Sequence, residues 1–374
     1  MSLIRLDRYS RIVIKIGSSL LIDEDGQPDT DWMESLAADL AALHESGSDV
    51  LVVSSGAIAI GSASLGIDRR RARLGELQAA ASAGQVLLVN AWADALSRHG
   101  IATAQVLLTP DDTENRRRFL NARSTFAELL KRRVVPVVNE NDTVSTDEIR
   151  YGDNDRLAAR VAQLVMADSL VLLSDVDGLY DRDPRGSADA EHIPDVRTID
   201  ESIVSIAGET RTATGSGGMA TKVAAARIAT RAGCSTVITL GTGRRPLERL
   251  AAGGRATLFH AVGTPAAQRK QWLAGTLSAA GRVVIDAGAV SALSRGGSLL
   301  PVGVLRVEGA FSRGDVVSIV REDGREIGRG LIEYSLEDAE RLTGAQSDEI
   351  EARLGYRGRA ALVHRDELVL FEHE

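Results

Sequence analysis

The sequence predicts a three-layer α/β/α sandwich with a mostly parallel sheet, followed by a small β-barrel-like unit. Three observations carry this. Between residue 10 and about residue 260, short apolar runs alternate with amphipathic helical stretches, the rhythm of a parallel sheet covered by helices. The runs are apolar on successive residues rather than on alternate ones, as strands buried beneath two helical layers are. Beyond residue 260 the texture changes to short β-type segments with frequent turns.

In chain order the predicted strands are residues 11–17 (RIVIKIG), 49–56 (DVLVVSSG), 102–108 (ATAQVLL), 134–140 (VVPVVNE), 169–175 (SLVLLSD), 235–241 (STVITLG) and 256–260 (ATLFH). Helical patterns lie between them. Residues 29–47 (DTDWMESLAADLAALHESG) carry Asp and Thr at the start and Gly47 at the end, the expected helix punctuation. Catalysis is expected from residues 1–262. Residues 263–279 are polar and irregular and read as a linker. Residues 280–366 form the second unit, with strand-like segments at 281–288, 301–309 and 315–334 and a hairpin signal at 322–325 (EDGR). There is no internal repeat and no low-complexity tract.

Composition excludes several classes. Apolar residues make up 44% of the 374 and aromatics only 3%, so the core rests on Ala, Val, Leu and Ile. The net charge of −8 comes without a basic tail, so general nucleic-acid affinity is not expected. The single cysteine, Cys234, rules out an internal disulfide, fits a reducing cytoplasm, and reads as buried filler between a helix and a strand. The N-terminus lacks a signal-peptide pattern, and no apolar stretch reaches the ~18 residues of a membrane span. The scattered histidines show no zinc-ligand spacing.

Unusual residues gather where the strands end, the place where ligands bind in open parallel sheets. In VIKIGSS, Lys15 interrupts an apolar strand before Gly17. Either it snorkels from the strand end, or it meets a phosphate while Gly17 lets the backbone approach, since a buried ammonium needs an anionic partner. In VVSSGAIAIG, small residues including Ser55 open a helix; this is a tight packing turn or a set of N–H groups aimed at a ligand. Residues 137–162 (VVNENDTVSTDEIRYGDNDRLAARVA) form a carboxylate- and amide-rich lip. It fails the EF-hand pattern, which leaves a solvated acidic loop or a site for an ammonium-bearing substrate, lysines and magnesium. In TATGSGGMATKVAAARIA (212–229) the glycines and Lys222 suggest an anion nest, against the alternative of a flexible loop with a chance lysine. It is not a P-loop, because no Gly-Lys dipeptide occurs in the chain.

Together the segments VIKIGSS, VSSGAIAIG, FLNARSTF, VVPVVNENDTV, YGDNDRLAA, LLSDVDGLYDRDPR and TGSGGMATK, in this order and spacing, resemble the glutamate 5-kinases of the amino-acid kinase family. The tail segments GRVVIDAGAVSAL and SLLPVGVLRVEGAFSRGDVV resemble the PUA domain of many bacterial members. The resemblance implies the amino-acid kinase fold and ATP-dependent phosphorylation of the side-chain carboxylate of L-glutamate, the first step of proline synthesis. It implies that Lys15 and Lys222 contact the ATP phosphates, and that Asp155 organises these lysines and lies near the magnesium site, whose direct ligands stay open. Ser55, Asp142 and Asn154 would hold glutamate, with Asn139 and Asn141 close by. Ser174, Asp175 and the run Ser216, Gly217, Gly218, Met219, Ala220, Thr221 and Lys222 would hold ATP.

The implied partners are L-glutamate, ATP with Mg2+, proline as feedback inhibitor, a homo-oligomer of dimeric or tetrameric size, and the next enzyme, glutamyl phosphate reductase. RNA is not expected as a partner of the second unit. From Gly281 onward the chain has 12 Arg and no Lys against 17 Asp and Glu, which lacks the basic footprint that RNA binding needs.

Overall fold

The computed structural model describes residues 4–23, 25–144, 154–187, 189–209, 218–274 and 279–371. It divides into two compact units, Met1–Pro265 and Ala266–Glu374.

The first unit runs β1 (Arg11–Ile16), α1 (Thr30–Glu45), β2 (Asp49–Val53), α2 (Ala57–Leu65), α3 (Leu74–Ser97), β3 (Thr103–Leu108), α4 (Pro110–Glu114), α5 (Arg116–Lys131), β4 (Val135–Glu140), α6 (Asn154–Leu164), β5 (Ser169–Ser174), β6 (Leu179–Tyr180), β7 (His192–Ile193), β8 (Asp195–Val196), α7 (Glu201–Glu209), α8 (Met219–Arg231), β9 (Ser235–Leu240), α9 (Pro246–Ala251) and β10 (Ala256–Phe259). Eight strands form one sheet in the order β3-β4-β2-β1-β5-β9-β10-β8. All neighbours are parallel except β9 and β10. The predicted strand at 256–260 is therefore the one that turns antiparallel. β6 and β7 pair as a separate small hairpin, which the sequence did not announce.

Side-chain alternation along β1 sorts the layers. Ile12, Ile14 and Ile16 join a core with Trp32, Leu36 and Leu40 of α1, Leu88 and Trp92 of α3 and Leu250 of α9. Val13 joins the opposite core with Phe126 of α5, Leu157 and Val161 of α6, and Val223 and Ala226 of α8. Helices thus cover both faces. Lys15 has the parity of Val13, so it belongs to the α6–α8 layer. β1 lies between β2 and β5, where strand order reverses, and the carboxyl ends of β1, β2, β4 and β5 meet there.

The second unit opens with α10 (Pro265–Ala274), then β11 (Gly281–Ile285), α11 (Ala287–Ser294), β12 (Val304–Gly309), β13 (Val316–Arg321), β14 (Glu326–Ile332), α12 (Leu336–Leu342), α13 (Ile350–Leu354) and β15 (Val363–Leu370). Its sheet has the order β12-β11-β13-β14-β15 over its own core, which includes Val283, Ile319, Ile332 and Leu362. The EDGR hairpin forms as expected. Gly324 takes φ +84, and the Arg321 N–H donates to Arg325 O across the turn at 2.9 Å.

The segment read as an irregular linker differs from that reading, since it contains α10. Arg269 of this helix reaches Glu367 on β15, with Nη2 and Nε at 2.6 and 3.1 Å from Oε2, and Leu273 is fully buried. The polar texture of the segment was that of a helix with a narrow buried stripe.

Candidate active site

Four strand ends and two helix starts build the site. Lys15, the penultimate residue of β1, is 6% exposed. Asp155, the second residue of α6, is fully buried, and Lys222 enters from the first turns of α8 at 5% exposure. Lys15 Nζ lies 2.7 Å from Asp155 Oδ1, and Lys222 Nζ lies 3.3 Å from Oδ2. Thr221 adds a hydroxyl at 2.8 Å from the same Oδ2. Two cations from separate elements thus converge on one carboxylate.

Burial works against the charge of Asp155. The facing Lys15 and Lys222, with hydrogen bonds from Lys15 and Thr221, outweigh it and hold the carboxyl below the usual range. Lys15 shows the converse. Burial pushes its pKa down and Lys222 adds to this, while Asp155 opposes it. Of the two sequence readings of Lys15, snorkelling is excluded, because the ammonium turns inward onto Asp155.

A second cluster, made of neutral amides, lies beside it. Asn154 Nδ2 lies 2.8 Å from Ser55 Oγ, 3.1 Å from the Ser54 carbonyl and 3.2 Å from Asn139 Oδ1. Asn139 in turn donates to Gln85 Oε1 at 2.7 Å. The turn that presents Ser55 requires glycine, since Gly56 has φ +99 at the start of α2. Asn141 enters through its backbone, whose N–H donates to Leu108 O at 2.8 Å. Asp142 is half-buried, and burial alone pushes its pKa up to about 6.

β5 ends in Ser174, whose Oγ lies 3.0 Å from Asp175 Oδ1. Gly178 tucks the following turn against β10; a Cβ there would fall 2.8 Å from Thr257 Oγ1. Gly218 caps α8, and among the described residues no side chain accepts from the helix N–H groups, which are the kind of donors that take an anion. Met219, Ala220, Thr221 and Lys222 form its first turn. Ser216 and Gly217 lie outside the described residues.

Sequence reasoning missed Gln85 and Trp92. The Trp92 indole N–H donates to Ser54 Oγ at 3.2 Å, behind the Ser55 turn. The signal for Gln85 was a lone amide at a core position of α3, in helical register with Ala81, Leu88 and Trp92, all buried. Among the described residues no group of three or more His, Cys, Asp or Glu is placed to hold a metal ion. The single buried carboxylate of Asp155 fits magnesium carried on nucleotide phosphates, since Mg2+ keeps several waters and takes one or two carboxylates. No helix among the described residues is long and apolar enough to cross a membrane.

The amino acid kinase family model matches residues 10–240, and the PUA domain model matches residues 281–354. Glutamate 5-kinase of Brucella anthropi is 53% identical over 366 residues, covering 98% of this chain and 97% of that protein. Glutamate 5-kinase of Brucella ovis matches with the same identity and coverage. With a family model across most of its first unit and relatives of more than half identity along nearly its whole length, the chain belongs to the amino acid kinase family, among the glutamate 5-kinases that carry a PUA domain.

Proposed function

We infer that the chain transfers the γ-phosphoryl group of ATP to the side-chain carboxylate of L-glutamate, giving ADP and L-glutamyl 5-phosphate, the entry step of proline synthesis. The observation that carries this is the buried Asp155 carboxylate holding Lys15 and Lys222 together at the strand ends. The nucleophile needs no general base, because a glutamate side chain with a pKa of about 4.3 is already ionised at pH 7. The obstacle is electrostatic. Two unit charges 4 Å apart repel by roughly 4 kcal/mol at an effective dielectric near 20, and the phosphoryl group carries more than one.

Lys15 and Lys222 offset that repulsion and stabilise charge on the transferring group. Asp155 fixes both ammonium groups before the substrates arrive, so little reorganisation remains for the reaction. Magnesium bound with ATP supplies further positive charge on the phosphates, with Asp155 the chain's carboxylate nearest this chemistry. Gly218 through Lys222, with Ser174 and Asp175, receive the nucleotide. Asp142 pairs with the α-ammonium of glutamate, and Ser55 and Asn154, backed by Asn139, hold its polar atoms.

Catalysis belongs to residues 1–262 in this reading, and the PUA domain has a regulatory or packing role. A cytoplasmic dimer or tetramer that proline inhibits, and that delivers its acyl phosphate to a reductase, completes the proposal. Size-exclusion chromatography with and without proline tests the assembly. ADP release with L-glutamate, L-aspartate and N-acetyl-L-glutamate tests the reaction. Turnover is expected with glutamate alone, and preferred turnover of either other acid would overturn the reading.

A further inference from the structure

The amide cluster has a direction, and that direction begins at a residue outside the set assigned to glutamate. The Glu140 backbone N–H donates to Asn139 Oδ1 at 2.9 Å. A backbone N–H can only donate, so the Asn139 atom facing it is the oxygen. Asn139 Nδ2 then points the other way and needs an acceptor, which is Gln85 Oε1 at 2.7 Å. The same Asn139 oxygen takes Asn154 Nδ2, which is also within reach of Ser55 Oγ and Ser54 O. The NH2 group of Asn154 therefore faces inward, and its Oδ1 is left for a donor elsewhere.

Gln85 is held in place by close packing. A Cβ on its neighbour Gly84 would fall 1.8 Å from Ala57 O, and one on Gly61 would fall 1.8 Å from Ala80 O. The backbones of α2 and α3 thus touch one residue from Gln85 and two residues from Ser55. Gln85 is 8% exposed, and its Nε2 has no hydrogen-bond partner among the described residues. A buried donor without a partner is costly, and an apolar side chain of similar size would avoid the cost. Packing alone does not favour glutamine here; the acceptor it offers Asn139 does.

We propose that Gln85 is a positioning residue for the amino-acid substrate: by accepting from Asn139 it fixes Asn154 with its carbonyl oxygen available to the α-ammonium of glutamate. This rests on the proposed function. It assigns the recognition of an amine to a pair, the Asn154 carbonyl and the Asp142 carboxylate, and makes the first depend on α3.

Steady-state kinetics of the full chain test it with two substitutions. Gln85→Met keeps the volume and removes the acceptor. It should raise the glutamate KM about tenfold, the worth of one well-made hydrogen bond, with kcat and the ATP KM within about twofold of the parent. Gln85→Glu keeps an acceptor for Asn139 and should bring the glutamate KM back to within about threefold of the parent. A merely structural role would lower activity toward both substrates and would not distinguish the two variants. An unchanged glutamate KM in Gln85→Met, or an equal rise in the ATP KM, overturns the inference. If Gln85→Met does not fold, Gln85→Glu decides alone, and a glutamate KM more than tenfold above the parent's overturns it. A parent chain that releases no ADP with glutamate overturns the functional reading and this inference together. A parent that does, with a Gln85→Met variant of unchanged KM, overturns this inference alone.

Discussion

The side of the site proposed for phosphate and the side proposed for the amino acid are built on different electrostatic plans. On the phosphate side every charge already has a partner: Lys15 and Lys222 share Asp155, and all three are buried. On the amino-acid side Asn139, Asn154 and Gln85 bond to one another, Gln85 Nε2 has no partner among the described residues, and burial raises Asp142 to a pKa of about 6. The first plan suits a task in which charge must be in place before it is needed, because reorienting dipoles during phosphoryl transfer would add to the barrier. The second suits the recognition proposed for it, because an α-ammonium would give the half-buried Asp142 carboxylate a counter-charge.

The largest effect should come from breaking the phosphate side. Lys15→Ala or Lys222→Ala should lower kcat by about 10²-fold or more, taking a lost electrostatic contact as ~3 kcal/mol. The glutamate KM should change little. A variant with near-parental kcat at saturating ATP and glutamate would remove that lysine from the chemistry. Asp155→Ala should also depress kcat, because it leaves two buried ammonium groups facing each other without a counter-charge.

Breaking the amino-acid side should act on binding. Asp142→Ala should raise the glutamate KM by about thirtyfold, the lower end for losing one partner of a partly buried charge pair, with the ATP KM nearly unchanged. The pH dependence has a definite sign. Asp142 must be ionised to attract an ammonium, and its pKa in the free protein is about 6. The glutamate KM should therefore rise as pH falls below 6, by about tenfold at pH 5 relative to pH 7.5, and Asp142→Ala should lose this acid limb. An ATP KM that follows Asp142 instead would mean that the lip serves the nucleotide.

The two sides were not equally legible in the sequence. Lys15 and Lys222 stood out because a lysine in an apolar strand and a lysine behind a glycine run are chemically conspicuous. Their meeting on Asp155 was legible only through the family resemblance; the structure accounts for it by parity, since Lys15 alternates with Ile14 and Ile16 and so faces α6 and α8. The seven main strands were legible for the same reason, as buried parallel strands leave long apolar runs. The amide chain was legible only in part. Asn139 and Asn154 lie in polar stretches that advertise themselves, whereas Gln85 sits within a helix and acquires its role only when α3 crosses α2 at Gly61 and Gly84. That crossing is a long-range contact that no local pattern records. The two-residue strands β6, β7 and β8 are too short to leave a periodic signal.

The smallest effect should follow from removing the second unit, which belongs to neither side. Every residue given a role in the chemistry precedes Val223, and the second unit has a core of its own that shares no member with the first. Where the cut falls matters. Ending the chain near Leu277, inside the segment that read as a linker, would keep α10 but remove Glu367, the buried partner of Arg269. Ending it after Pro265 avoids this. The turn before Pro265 is tied to the first unit, since the Val262 N–H donates to Thr230 O at 2.9 Å and a Cβ on Gly233 would fall 2.4 Å from Pro265 N. Residues 1–265 should therefore fold and turn over glutamate with kcat and both KM values within about twofold of the full chain, since a compact unit with its own hydrophobic core can in principle fold alone. Loss of proline inhibition or a change in assembly would be compatible, because a unit without catalytic residues acts only through coupling. A folded, monodisperse 1–265 protein with no turnover at saturating ATP and glutamate would show that the site depends on the second unit, and that the contrast between its two sides is incomplete.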